Sequence, residues 1–515
     1  STLDKGQSGR LKNVQRELKN VFELDDRQAY KLIINMANNI VTTTNYNISK
    51  LINAPGTIER LKQNDAEEVD CELSDATIAK AVSYYINNQE KEEVKEELRN
   101  IGISEQMLKE KSNYNIYFVS HIINSYDFNK QLTDIEKKAL ITQMLNTVVM
   151  EPKYKVQLAN VVINLEKNGL QTQDAYGLMI NLACKPKVIE GQSYGYTSIL
   201  SSSQQGNLIA NKVEHKDTIV TRQLIAKAIS DTTDKSEKNE YTIYDILNNR
   251  DLGIELSTRE KTAVFKMLTR NAEEKRAIEE TDVLLGEYGL DADESARGLI
   301  NLILDNNLVD EGNFSSTIVL NSSNKVDEIF KKNMKLNLEV SRETIDKAVC
   351  DTLTEEEIKA IKQKYIDLGI EQEFIERKKP RNLYMAQKIL ERSTTATRCT
   401  DDKMKSKVLI NILNSTALDT DDVLDNRLIN LLSNIRKSSE SNENIYDIFI
   451  GLSLDNVQNS TKYSEILRKT YKVLEQNINK ENLANNNRRD IDTLEKELQL
   501  YIDISNKNKD LFNNI

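Results

Sequence analysis

The run Ala29 to Met36 (AYKLIINM) returns as Ala175 to Leu182 (AYGLMINL) and more loosely as Ala296 to Leu302 (ARGLINL). A chain that repeats itself at such long intervals builds its core from recurring units, so this feature narrows the fold more than any other. A second block follows in the same order each time: Ser74 to Val82 (SDATIAKAV), Thr221 to Ile229 (TRQLIAKAI) and Ser341 to Val349 (SRETIDKAV). It opens 45, 46 and 45 residues after the first, at 29 to 74, 175 to 221 and 296 to 341. A third block is marked by Ile116-Tyr117, Ile243-Tyr244 and Leu383-Tyr384. A fourth is marked by Leu132 to Glu136 (LTDIE), Leu256 to Glu260 (LSTRE) and the weaker Cys399 to Lys403 (CTDDK). A truncated copy starts at Asn426 to Leu431 and continues at Asn444-Ile445-Tyr446. The reading is three full copies, 11–145, 146–270 and 271–413, followed in 414–515 by a partial fourth and a C-terminal helical segment.

The copies read as helical. Gly and Pro together occupy only 20 of 515 positions, too few for a turn-rich β-protein. Within the second block Ile78, Ala81 and Val82 stand at i, i+3 and i+4, as do Ile225, Ala228, Ile229 and Ile345, Ala348, Val349, a spacing that predicts one core-facing helical stripe. Ser74, Thr221 and Ser341 suit N-caps, and Thr133 with Glu136 and Ser257 with Glu260 have capping-box spacing. Gly102-Ile103, Gly253-Ile254 and Gly369-Ile370, with Gly169-Leu170 and Gly289-Leu290, mark left-handed helix stops. Copy one has Glu23-Leu24 where the second kind of glycine stop is expected, which predicts a different ending for its first helix. The expected fold is all-α: a tandem array of duplicated multi-helix units with little or no sheet.

The formal charge of −11 argues against general nucleic-acid binding, because an acidic chain repels a phosphate backbone. The strongest basic run, Arg377 to Arg381 (RKKPR), reads as a solvated loop before a helix beginning near Asn382. Cys71, Cys184, Cys350 and Cys399 are too far apart for metal or disulfide motifs and read as free thiols. No apolar run approaches the ~18 residues that span a bilayer, so no transmembrane segment is expected. The chain opens on Ser1 without an apolar signal core, and a leader removed earlier is left open; soluble, secreted, surface and virion-associated locations all fit.

Motifs for chemistry are missing. The two histidines, His121 and His215, lie in no metal-binding pattern and read as a helix residue and a solvated loop residue. No phosphate-cradling glycine motif occurs, and the acidic group Asp419, Asp421, Asp422, Asp425 fails the calcium-loop pattern at Val423. No catalytic, cofactor-binding or metal residue is therefore expected.

One polar position recurs in every full copy: Lys80, Lys227 and Lys347 follow the core isoleucine by two residues and are expected to point away from the core as candidate partner-binding residues. The polar stretches Val41 to Asn47, Glu190 to Ser203 and Glu311 to Ser323 are candidate recognition loops. The function expected is a non-catalytic scaffold, for example a microbial secreted or surface protein contacting a host factor, filament or shell component. The alternatives are a structural or internal virion protein, or an effector enzyme with a carboxylate site. Oligomeric state is not legible.

Overall fold

The computed structural model describes residues 5–37, 58, 72–147, 157–185, 194–195, 199, 203–233, 238–275, 278–304, 329–330, 336–399, 401–414, 432, 436 and 444–453. Their regular structure is all-helical, with one isolated bridge position at Leu336 and no strand among the described residues. The polar stretches Val41 to Asn47 and Glu311 to Ser323, most of Glu190 to Ser203, Cys71, the acidic group at 419–425 and the block Asn426 to Leu431 lie outside them.

The chain divides into two compact units, 1–241 and 242–515. The first holds α1 (Lys5–Phe22), α2 (Asp26–Ala37), α3 (Asp75–Tyr85), α4 (Asn88–Asn100), α5 (Glu105–Glu110), α6 (Asn113–Ser125) and α7 (Asp134–Thr147). It continues with α8 (Gln157–Lys167), α9 (Thr172–Cys184), α10 (Ser203–Ala210), α11 (His215–Thr218) and α12 (Arg222–Thr232). Here α7 packs on both α9 and α12, while α3 packs on α6 and α8.

The division falls inside α13 (Lys238–Asn249). The second unit holds α14 (Thr258–Lys275), α15 (Ile278–Glu287), α16 (Ala292–Leu304), α17 (Arg342–Asp351), α18 (Glu355–Asp367), α19 (Gln372–Glu376) and α20 (Pro380–Arg392). It ends with α21 (Thr395–Arg398), α22 (Asp402–Asn414) and α23 (Ile445–Ser453). Here α14 packs on both α16 and α17, and α20 on α17, α18, α22 and α23.

The helices begin where side chains can satisfy the orphan N–H groups of a first turn. Ser74, Thr221 and Ser341 accept from the backbone N–H three residues on, at Thr77, Leu224 and Thr344. Thr133 and Ser257 form their capping boxes: the Thr133 N–H donates to Glu136 at 2.8 Å and the Ser257 N–H to Glu260 at 2.8 Å.

The stops correct the sequence reading twice. Glu23, expected to end α1 differently, adopts the left-handed conformation at φ 56°, and the Leu24 N–H reaches the Lys19 carbonyl. The same six-to-one bond closes the glycine stops, from Leu170 to Leu165 and from Leu290 to Leu285. The chain therefore makes one turn with or without glycine, at the steric cost of a Cβ in that region. Gly253 was grouped with Gly102 and Gly369 but follows α13, where its N–H donates to Asp251 Oδ1 at 2.8 Å. Its likeness is to Asn129 after α6, also left-handed, whose N–H donates to Asp127 Oδ1 at 2.9 Å.

One buried asparagine fixes the approach of each first-block helix to the segment before the second block. Asn181 Nδ2 on α9 donates to the Asp217 and Ile219 carbonyls at 2.8 and 3.1 Å. Asn301 Nδ2 on α16 donates to the Asn337 and Glu339 carbonyls at 2.8 and 2.9 Å. Asn35 Nδ2 on α2 reaches the Glu72 carbonyl at 2.8 Å. In each case a clamped carbonyl lies two residues before the N-cap of the next helix, so the bond sets where that helix starts. Aligned on these asparagines, Ala296 stands opposite Tyr176, not opposite Ala175 as the sequence match had it. Gly177 on α9 is required by contact: a Cβ there would lie 1.8 Å from the Thr218 carbonyl oxygen, which also accepts the Tyr126 hydroxyl at 3.1 Å.

Candidate functional site

The three lysines do not share one environment. On α12 and α17 the expected stripe is buried, with Ile225, Ile229, Ile345 and Val349 in the core and Lys227 and Lys347 half-buried beside it. Lys227 is tied to Asp231 one turn on. On α3 the pattern inverts: Ile78 is 50% and Val82 41% exposed, while Lys80 is only 7% exposed. Lys80 therefore does not point outward. It lies on the side of α3 that meets α8, where burial and then the nearby Lys167 lower its amine to about 8. Ile78 and Val82 were assigned to the core from spacing alone. That face is covered on α12 by α7 and on α17 by α14, whereas α3 packs on α6 and α8.

The two covering helices bring a second recurring contact. Arg222 at the start of α12 pairs with Glu136 in the first turn of α7, and Arg342 at the start of α17 lies 3.5 Å from Glu260 in the first turn of α14. Burial disfavours the charged form of Glu136, yet the Thr133 N–H, Arg222 and Lys130 outweigh it and hold the carboxyl below its ordinary value. Glu260 is lowered against its own burial by the Ser257 N–H and hydroxyl, Arg342 and Arg392. Charges spent this way fix register between helices, since an unpaired Glu136 would be a buried ion.

Two polar clusters carry residue types suited to chemistry. His121 stands with Asp75 and Ser125, a Ser–His–Asp set, but its Nε2 faces both Asp75 Oδ2 at 2.9 Å and Ser125 Oγ at 3.5 Å. A proton relay needs the two partners on opposite ring nitrogens, so this arrangement orients the ring and activates nothing. The Tyr176 hydroxyl from α9 also donates to Asp75, which makes the cluster a bridge among α3, α6 and α9. His215, read as a loop residue, is the first residue of the short helix α11 and is exposed.

On α17, Glu343 and Asp346 are fully buried. Arg392 binds both oxygens of Asp346, Arg436 Nε donates to Glu343 at 2.7 Å, and the Tyr446 hydroxyl donates to Glu343. Burial pushes Asp346 up to about 6 in spite of Arg392, while Arg436 and Tyr446 overcome the burial of Glu343 and lower it. This cluster escaped the sequence reading because Arg436 and Tyr446 arrive from nearly a hundred residues away. It suits a clamp holding α23 and Arg436 against α17, with both carboxylates facing donors.

The basic run is a loop only at 377–379, between α19 and α20, and of its cations Arg377 alone is exposed. The helix begins at Pro380, Lys378 is buried with its amine on the Leu413 carbonyl at 3.3 Å, Arg381 pairs with Asp351 at 3.1 Å, and Arg377 pairs with Glu373. Lys378 and Arg381 are thus engaged within the fold. A cleft of about 430 Å³ beside α18, α20 and α22 has Tyr365, Leu368, Leu390 and Leu409 among its walls and a rim of both signs of charge, including Lys364, Asp367, Glu391 and Lys405.

Cys184, Cys350 and Cys399 are free and buried, and burial raises the Cys184 thiol to about 12, so it is inert at neutral pH. Among the described residues no group of three or more His, Cys, Asp or Glu is placed to hold a metal ion, and no helix is long and apolar enough to cross a membrane. Comparison of the chain with protein families, curated proteins and solved structures gives no match.

Proposed function

We propose that the chain is a non-catalytic scaffold built as a tandem helical array, copies 11–145, 146–270 and 271–413 with a partial fourth, that presents recurring surface to a protein partner. The observation that carries this reading is the recurrence of one junction. A helix opened by a Thr or Ser capping box covers the first- and second-block helices that follow it, through Glu136–Arg222 in one place and Glu260–Arg342 in the other. The asparagine clamps on the second-block entries support the same periodicity. A polar network serving catalysis would need one copy to carry groups the others lack around an accessible space. The buried Glu343–Asp346 network is instead fully paired, and the histidine set lacks relay geometry.

Of the three lysines, Lys227 and Lys347 keep equivalent half-buried positions and remain our proposed contacts for a partner; the burial of Lys80 removes it. Photocrosslinking from positions 227 and 347 in cells, read by mass spectrometry, should yield one and the same partner protein from both sites. Different partners, or none, would remove these lysines from the scaffold surface.

A further inference from the structure

Two helices near the start of the chain expose the residues that their counterparts bury. On α2, Tyr30 is 55% and Ile34 41% exposed; aligned on the clamping asparagines, these positions are Tyr176 and Ile180 on α9, and Ala296 and Ile300 on α16, all fully buried. On α3, Ile78 and Val82 are exposed where Ile225, Ile229, Ile345 and Val349 are buried. The buried sets have a common cause, because α7 covers α9 together with α12, and α14 covers α16 together with α17. Among the described residues no helix covers these positions of α2 and α3, which carry the apolar residues of a junction face.

The complementary face is on α22. The cap of α22 is Asp401, one residue past the Thr400 that the sequence match sets opposite Thr133: it accepts from the Met404 N–H at 2.7 Å, as Thr133 caps α7 and Ser257 caps α14. Counted from these caps, the place of Glu136 and Glu260 falls to Met404, that of Ala139 and Ala263 to Lys407, and that of Gln143 and Met267 to Asn411. Met404, Lys407 and Asn411 are all exposed, whereas Val408 and Ile412, matching Leu140 and Met144, stay in the core. This is the stripe that carries Glu136 to Arg222 inside the chain.

We infer that the two faces are halves of one intermolecular junction: α22 of one molecule lies on α2 and α3 of a second copy of this chain, head to tail. The inference rests on the tandem-array reading. The choice of a second copy as occupant comes from the charges. Inside the chain the covering helix brings the acid, Glu136 or Glu260, and the covered helix the base, Arg222 or Arg342. On these two faces the signs are exchanged. The position of Arg222 is Asp75 on α3, half exposed while it also holds His121 and Tyr176, and α22 brings the exposed Lys407 on its stripe, with Lys403 one turn before it. Docking of these two faces stays attractive, while either face invading an internal junction would set Asp75 against glutamate or lysine against arginine. The contact joins unlike faces, so each added molecule leaves one face of each kind open until a ring closes.

Sedimentation velocity over a wide concentration range tests this with three full-length proteins: the unaltered chain, an N-face variant (Ile34→Asp, Ile78→Asp) and a C-face variant (Met404→Asp, Lys407→Glu). All four positions are exposed, and far-UV circular dichroism checks that each variant folds. The unaltered chain should associate as concentration rises, and each variant alone should lose association at least about a hundredfold. An equimolar mixture of the two variants should form a one-to-one dimer and nothing larger, since one intact face of each kind remains. A chain that stays monomeric throughout, a C-face variant that associates as well as the unaltered chain, or a mixture that stays monomeric would each overturn the proposal. Removal of residues 128–251 tests the array separately: a folded shortened chain together with a monomeric full chain would overturn the docking and leave the array standing.

Discussion

Replacing Asn181 by Leu keeps the bulk of the side chain and deletes both bonds to the Asp217 and Ile219 carbonyls. Each neutral hydrogen bond contributes about 1 kcal/mol net, and a carbonyl left part-buried without its donor costs roughly 1 kcal/mol more, so the loss should be about 2–4 kcal/mol. That is a large share of the ~5–15 kcal/mol that holds a folded domain. Asn301→Leu deletes two bonds of nearly the same lengths to the Asn337 and Glu339 carbonyls and should cost the same. Urea unfolding followed by far-UV circular dichroism gives the size of each loss. Hydrogen exchange locates it, in 217–232 for the first variant and 337–351 for the second. A loss under about 1 kcal/mol in both would refute the reasoning that these bonds set the start of the next helix. So would two losses differing by more than about 1.5 kcal/mol, because like geometry should carry like energy.

Glu23→Gly should stabilise the chain by about 0.5–1 kcal/mol in the same urea assay, since relief of the left-handed Cβ exceeds the entropy that glycine adds to the unfolded state. Gly177→Ala should cost about 3 kcal/mol or more, because its Cβ would fall 1.8 Å from the Thr218 oxygen and α9 and α11 must separate. Lys80→Met should gain about 1–2 kcal/mol at neutral pH by removing a buried cation and keeping its stem. With the folded amine at about 8 and the unfolded one at 10.5, the unfolded chain binds more protons between these values, so the unaltered protein gains stability as pH rises and the difference vanishes above them. A pH-independent difference would show that the gain comes from packing.

Helical class, N-caps and most stops were readable because they depend on neighbours a few residues apart. Ser74, Thr221 and Ser341 do what their spacing promised. The direction of Lys80 was not readable, because it depends on which helix lies against α3, and spacing cannot tell a core face from a face awaiting a neighbour. One signal was overlooked in the letters themselves. Arginine follows the second-block cap only at Arg222 and Arg342, and glutamate stands three after the fourth-block cap only at Glu136 and Glu260, so both occur only where a junction forms. The asparagine of the first block was visible at 35, 181 and 301, but its role needed the carbonyls it clamps some 36–38 residues away. The Glu343 cluster draws on Arg436 and Tyr446 and has no local signature at all.

The tandem array is tested most directly by cutting out one period. Asp127 and Asp251 hold equivalent turns, each accepting from the N–H two residues on, so deletion of residues 128–251 joins α6 to the turn before α14. If the copies are equivalent, the shortened chain keeps its helical signal per residue and unfolds cooperatively in urea, with a smaller m-value in keeping with its smaller buried surface. A shortened chain that loses most of its helical signal, or melts without a transition, would contradict the account, because the two turns would then not be interchangeable parts of one repeated structure.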